Sequence, residues 1–96
     1  MLWGARKSAA KERSDFQTVR EYGNYIKANT EEGTRVECCV PGVGVGVGEQ
    51  GRVTRNNGDF LEVSWDNGMD YGYGYGMDYW EVKLVASVAN RNLMAD

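Results

Sequence analysis

No residue pattern in the chain supports ordinary acid–base catalysis. There is no histidine, which removes the commonest general base and the commonest metal ligand. Ser8, Ser14, Ser64 and Ser87 therefore lack the partner that would make any of them a nucleophile. Cys38 and Cys39 are neighbours, so on a strand their side chains point to opposite faces, and two cysteines without histidine do not make an ordinary zinc site. They read as free thiols in a reducing compartment. "GVGVGVGEQG", residues 42–51, is rich in glycine but lacks the lysine and Ser/Thr of a phosphate loop and does not open a helix. "DNGMD", residues 66–70, echoes part of a calcium loop without its further oxygen ligands. Turn chemistry accounts for Asp66 and Asn67 without a metal. The chain is expected to be non-enzymatic, with no cofactor and no metal.

What the sequence does concentrate is aromatic surface. "WDNGMDYGYGYGMDYW", residues 65–80, holds two Trp, four Tyr and four Gly. On a strand, Tyr71, Tyr73 and Tyr75 fall on one face and Gly72, Gly74 and Gly76 on the other. A glycine face admits a close ring or backbone, and the tyrosine face becomes a ridge with hydroxyl tips. Tyr and Trp bury large area at low entropy cost and dominate binding hot spots. The candidate partner-binding residues are Trp65, Asp70, Tyr71, Tyr73, Tyr75, Asp78, Tyr79 and Trp80, with Asp66, Asp70 and Asp78 as an acidic rim. The structural alternative is that the tyrosines roof a β core and pack on an N-terminal helix. Trp65, Tyr75 and Trp80 with Asp78 could also close on a modified lysine.

Charge narrows the partner. Of the net charge of −3, residues 1–33 contribute +1 and residues 34–96 contribute −4. Nucleic-acid phosphates need the opposite sign over the β region, so nucleic acid is disfavoured. Carboxylates beside aromatics favour another protein with a basic or Arg/Lys-containing segment. Three alternatives stand beside this. One is a nucleic-acid-associated or modified-lysine-reading barrel of the KOW or Tudor type, using Arg6, Lys7, Lys11 and Arg13. Another is a phage or viral host-interaction protein, and the third is a homodimer through the helix. No apolar run approaches the ~18 residues of a membrane span, and no apolar signal core follows the first charges. No membrane role is expected, and the location is cytoplasmic, or nuclear in a eukaryote.

These residues need elements to hold them. The chain divides into a flexible basic arm (1–13), an amphipathic helix with its linker (14–32), a β unit (33–86) and a tail (87–96). Ser14 and Gln17 fit a capping box, and Phe16, Val19, Tyr22 and Ile26 recur at helical spacing. Gly23 weakens that helix by ~1 kcal/mol relative to alanine. "TRVECCV" alternates as a strand, and residues 42–51 read as a long mobile loop. "GRVTR" and "DFLEVSWD" flank Asn56-Asn57-Gly58, a hairpin signal, with Leu61, Val63 and Trp65 on one face. "DNG" makes a second turn, and "YWEVKLV" ends the set with Val82 and Leu84 inward. The spacing predicts a mainly β fold with one N-terminal helix, a small SH3-like barrel of about five antiparallel strands.

Residues 33–85 resemble a mind bomb/HERC domain, the SH3-like module of several large ubiquitin ligases. The resemblance is carried by "GTRV" at Gly33 to Val36, "GEQGRV" ending at Val53, "VSWDNG" from Val63 to Gly68 and "YWEVKL" from Tyr79 to Leu84. Where that family carries a tryptophan-rich acidic segment, this chain has "CCVPGVGVGVG". The resemblance implies an SH3-like fold that binds protein segments. It implies no ligase activity, because the ubiquitin-transfer parts are absent.

Overall fold

Thr18 starts the helix. Its Oγ1 accepts a hydrogen bond from Glu21 N at 3.1 Å, and Glu21 Oε1 accepts from Gln17 N at 3.0 Å. Two amide donors at the helix start are satisfied by side chains, and helix α1 runs Val19–Ala28. The computed structural model describes residues 11–42, 44–69 and 75–85. The expected start at Ser14 is corrected: Arg13–Asp15 form a separate 3-10 turn, in which Glu12 N donates to Asp15 Oδ2 at 2.8 Å. The cause is Phe16, whose backbone is extended (φ −120°, ψ 150°). This carries its ring back to Tyr22 and Tyr25, at centroid distances of 5.6 and 5.3 Å. At the other end, Asn29 Nδ2 donates to Tyr25 O and Thr30 Oγ1 to Ile26 O, closing the last turn.

The strands among the described residues are β1 (Arg35–Cys38), β2 (Gln50–Asn56), β3 (Leu61–Trp65), β4 (Tyr75–Met77) and β5 (Val82–Leu84). All pairings are antiparallel, and they form one open sheet in the order β4-β3-β2-β1-β5. The expected mainly β fold, with one helix and five antiparallel strands, is what forms. Period-2 alternation sends Val36, Val53, Leu61, Val63, Trp65, Val82 and Leu84 into one core, which α1 covers with Tyr22 and Ile26. The register shifts between Val53 and Arg55, a bulge that precedes the β2–β3 loop.

Two glycines are fixed by packing or φ. Gly51 lies under the Trp65 ring: a Cβ there would stand 2.9 Å from Trp65 Cε3 and 2.6 Å from Ser64 O. Gly68 has φ +82° in the turn after β3, where its N–H donates to Trp65 O at 2.9 Å. The expected mobile loop is irregular but anchored. Gly42 and Val45 exchange backbone hydrogen bonds, the Val45 side chain is buried, and Asn67 Nδ2 donates to Gly44 O at 2.9 Å. Among the described residues no helix is long and apolar enough to cross a membrane.

Candidate functional site

The aromatic residues just before β5 do not continue a strand. Tyr79–Glu81 fold into a 3-10 turn, capped reciprocally by the Asp78 and Glu81 side chains. This turn packs against α1 at Gly23, where a Cβ would lie 3.7 Å from Trp80 N and 3.8 Å from Tyr79 Cβ. The absent side chain leaves an open groove of about 320 Å³ between helix and turn. Val19 (40% exposed) and the half-buried Trp80 supply apolar walls, while Arg20, Asn24 and Asp78 supply polar edges. The Arg13 guanidinium lies 5.6 Å from the Trp80 ring centroid, within cation–π range.

Asn56 fixes the two halves of the groove relative to one another. Its Nδ2 donates to Lys27 O and Thr30 O, both at 3.2 Å, at the end of α1. Its Oδ1 accepts from the Tyr79 hydroxyl, and that hydroxyl accepts in turn from Gly58 N at 3.2 Å. Helix end, β2–β3 loop and 3-10 turn thus share one polar knot.

The structure separates the candidate residues expected to act together. Trp65 is 2% exposed and Tyr79 is 7% exposed, so both rings belong to the core, although Tyr79 also borders the groove. A lysine cage walled by Trp65 is ruled out by the same burial. Trp80 and Asp78 face the groove. Tyr75 takes the register position opposite Val63 in the edge strand β4. Asp70, Tyr71 and Tyr73, with Gly72 and Gly74, lie outside the described residues, as do Arg6, Lys7 and the tail. Of the expected glycine face, Gly76 is in contact with Phe60, whose Cε1 would be 3.0 Å from an added Cβ.

Val19, Arg20, Gly23 and Phe60 were missed by sequence reasoning. Helical spacing puts Val19 on the apolar face, yet α1 buries Tyr22, Gly23 and Ile26, with Gly23 against the 3-10 turn, and leaves Val19 at the margin. A glycine in the middle of an amphipathic helix was the available signal.

The acidic rim is also divided. Asp66 is held by Arg35 in a two-pronged ion pair, with nitrogen–oxygen distances of 3.0 and 2.5 Å. That guanidinium holds the Asp66 carboxyl below its ordinary range, chiefly by hydrogen bonding. Burial pushes the Glu81 carboxyl up, with Asp78 close by. Burial likewise raises Tyr22, Cys38 and Cys39. Both cysteines are free thiols, Cys38 buried and Cys39 half-buried.

Neither the curated proteins nor the solved structures gave a match. The family model for mouse development and cellular proliferation protein Cullin-7 matches residues 13–88. This overturns the resemblance to a mind bomb/HERC domain. The glycines that carried it are demanded by the fold itself: Gly33 (φ +97°) and Gly68 sit at turns, and Gly51 lies beneath Trp65. Turn glycines such as Gly33 and Gly68 recur wherever short antiparallel strands are tightly connected, and Gly51 answers to the packing of Trp65, so they do not mark one family. A Cullin-7 domain points to protein interaction in general and assigns neither a surface nor a partner. The match takes in α1 and the whole sheet, hence both walls of the groove and well over half of the sequence: the chain belongs to the Cullin-7 family.

Proposed function

We propose that this domain is a non-enzymatic protein-interaction module that seats a partner segment in the groove between α1 and Tyr79–Glu81. The supporting observation is the groove's floor and walls: a side-chain-free position at Gly23, an exposed valine and an indole, carried by the helix and the 3-10 turn. Tryptophan in a concave apolar setting is a characteristic binding anchor, and polar edges at Arg20 and Asp78 can fix the orientation of a segment.

Filling the groove tests this. Gly23→Leu projects an isobutyl group into it while keeping a good helix former on α1. In affinity capture from native lysate, the variant should lose the proteins retained by the unaltered domain, with a melting temperature no lower than that of the unaltered domain. A Tyr71/Tyr73/Tyr75 triple alanine variant run in parallel separates the tyrosine ridge. If that variant alone loses the captured proteins, the groove is not the contact surface.

A further inference from the structure

A second cavity adjoins the groove, and its chemistry differs. It measures about 270 Å³ and is lined by Phe60, Gly76, Met77, Asp78 and Glu81. The Phe60 ring rests on the bare backbone of Gly76 and is 37% exposed, which is unusual for a large apolar ring placed by such close packing. Met77 is buried and forms the inner wall. Asp78 and Glu81 line the same cavity and bring two carboxyl groups to it. The ion pairs among the described residues are Arg35–Asp66, Arg55–Glu62 and Lys83–Glu37, and they leave both of these acids out. Glu81 Oε2 accepts from Asp78 N at 3.3 Å, which holds the carboxylate at the cavity's edge without neutralising it.

We infer that this cavity takes an arginine side chain from the partner segment, with the guanidinium between the Phe60 ring and the Asp78 and Glu81 carboxylates. The inference rests on the groove being the contact surface, because Asp78 lines both cavities and places them side by side. A planar, weakly hydrated guanidinium is the group that stacks on an aromatic face while its N–H fork meets carboxylates. The chain already uses this chemistry next door, where Arg13 lies over Trp80. Glu81 is partly desolvated before anything binds, and its raised pKa reflects that, so a cation recovers interaction the carboxylate has given up. The segment that fits therefore carries an apolar residue for the Trp80 groove and an arginine for the Phe60 cavity.

Two acetylated, amidated tripeptides serve as probes: Leu-Arg-Leu, and Leu-citrulline-Leu, in which a neutral urea replaces the guanidinium at almost the same shape. Each is titrated into the labelled domain and followed by two-dimensional amide NMR. The arginine peptide should move the signals of Phe60, Gly76, Met77 and Glu81 as well as those of Val19, Gly23 and Trp80. The citrulline peptide should bind roughly fivefold more weakly, the scale of one partly exposed cation–π and charge contact. Glu81→Gln and Asp78→Asn should each reduce the gap between the two peptides, and the double variant should reduce it further, each with a native spectrum. Equal affinity for both peptides on the unaltered domain overturns the arginine cavity. Shifts confined to Val19, Gly23 and Trp80 overturn it too, while leaving the groove in place. Absence of shifts in either region removes both.

Discussion

The Tyr79 hydroxyl donates to Asn56 Oδ1 and so ties the 3-10 turn before β5 to the end of β2. Asn56 simultaneously holds the carbonyls of Lys27 and Thr30, so one amide side chain positions helix, hairpin loop and turn. Tyr79→Phe keeps the buried ring and removes only the hydroxyl, and should lower unfolding free energy by about 1–2 kcal/mol. Asn56→Ala abandons several partners at once and should cost more, about 2–3 kcal/mol. In urea unfolding the double variant should fall short of the sum of the two, because both delete the same bond. Strict additivity would mean the link contributes nothing.

Gly51 is held by contact. A methyl group added there meets Ser64 O and the Trp65 ring at less than 3 Å, and both belong to the buried β3. Gly51→Ala should destabilise the domain by about 1–3 kcal/mol through overpacking. Gly46→Ala is the matched control, since a Cβ at Gly46 meets nothing within 4 Å. The two variants should separate clearly in thermal melts, and similar melting temperatures would show that β2 can shift away from Trp65.

Gly23 behaves differently. Its Cβ would stand at ordinary van der Waals distance from Trp80 and Tyr79, and its helical backbone suits alanine. Gly23→Ala should therefore raise stability by about 0.5–1 kcal/mol through helix propensity and a less flexible unfolded chain. A loss instead of a gain would show that α1 and the turn already press against one another.

These glycines show where sequence was informative and where it was not. Leu61, Val63 and Trp65 were legible as a core face because alternation is a local signal, and the turn at Asp66 to Gly68 was legible because its residues dictate their own backbone. The helix start was not. Ser14/Gln17 and Thr18/Glu21 present the same spacing, and the choice is made by Phe16 reaching Tyr22 and Tyr25. The roles of Gly23 and Gly51 depend on Trp80 and Trp65, partners set by tertiary packing that no local window contains. The site was half legible for the same reason. Trp80 and Asp78 were singled out, but the opposite wall, Val19 and Gly23, belongs to a helix whose docking angle only the fold decides.

The thiols should be slow nucleophiles. Burial raises both, Cys38 donates to Val40 O at 3.1 Å, and the thiolate is the reactive form. At neutral pH, iodoacetamide should label the folded domain far more slowly than the urea-unfolded chain, and Cys39 ahead of the more deeply buried Cys38. Peptide mapping of the alkylated product checks the order. Rapid labelling of both in the native state would mean that β1 opens readily.

The Arg35–Asp66 pair gives stability a specific pH dependence. Asp66 has a folded-state pKa below its unfolded value of about 4, so its contribution is complete above that pH and is lost as pH falls through the folded value. Glu81, raised by burial, acts with the opposite sign: its contribution is present in acid and is lost as pH rises through its folded pKa. Because the Asp66 side chain is about half exposed, the pair is worth at most about 1 kcal/mol. Asp66→Asn should thus lower stability modestly at neutral pH, and the gap from the unaltered domain should close as pH falls below about 4. High salt should shrink the gap as well, by screening an exposed pair. Denaturant unfolding across acid and neutral pH measures the gap directly. A gap that stays constant through the acid range would assign the effect to the turn geometry of Asp66 and not to its charge.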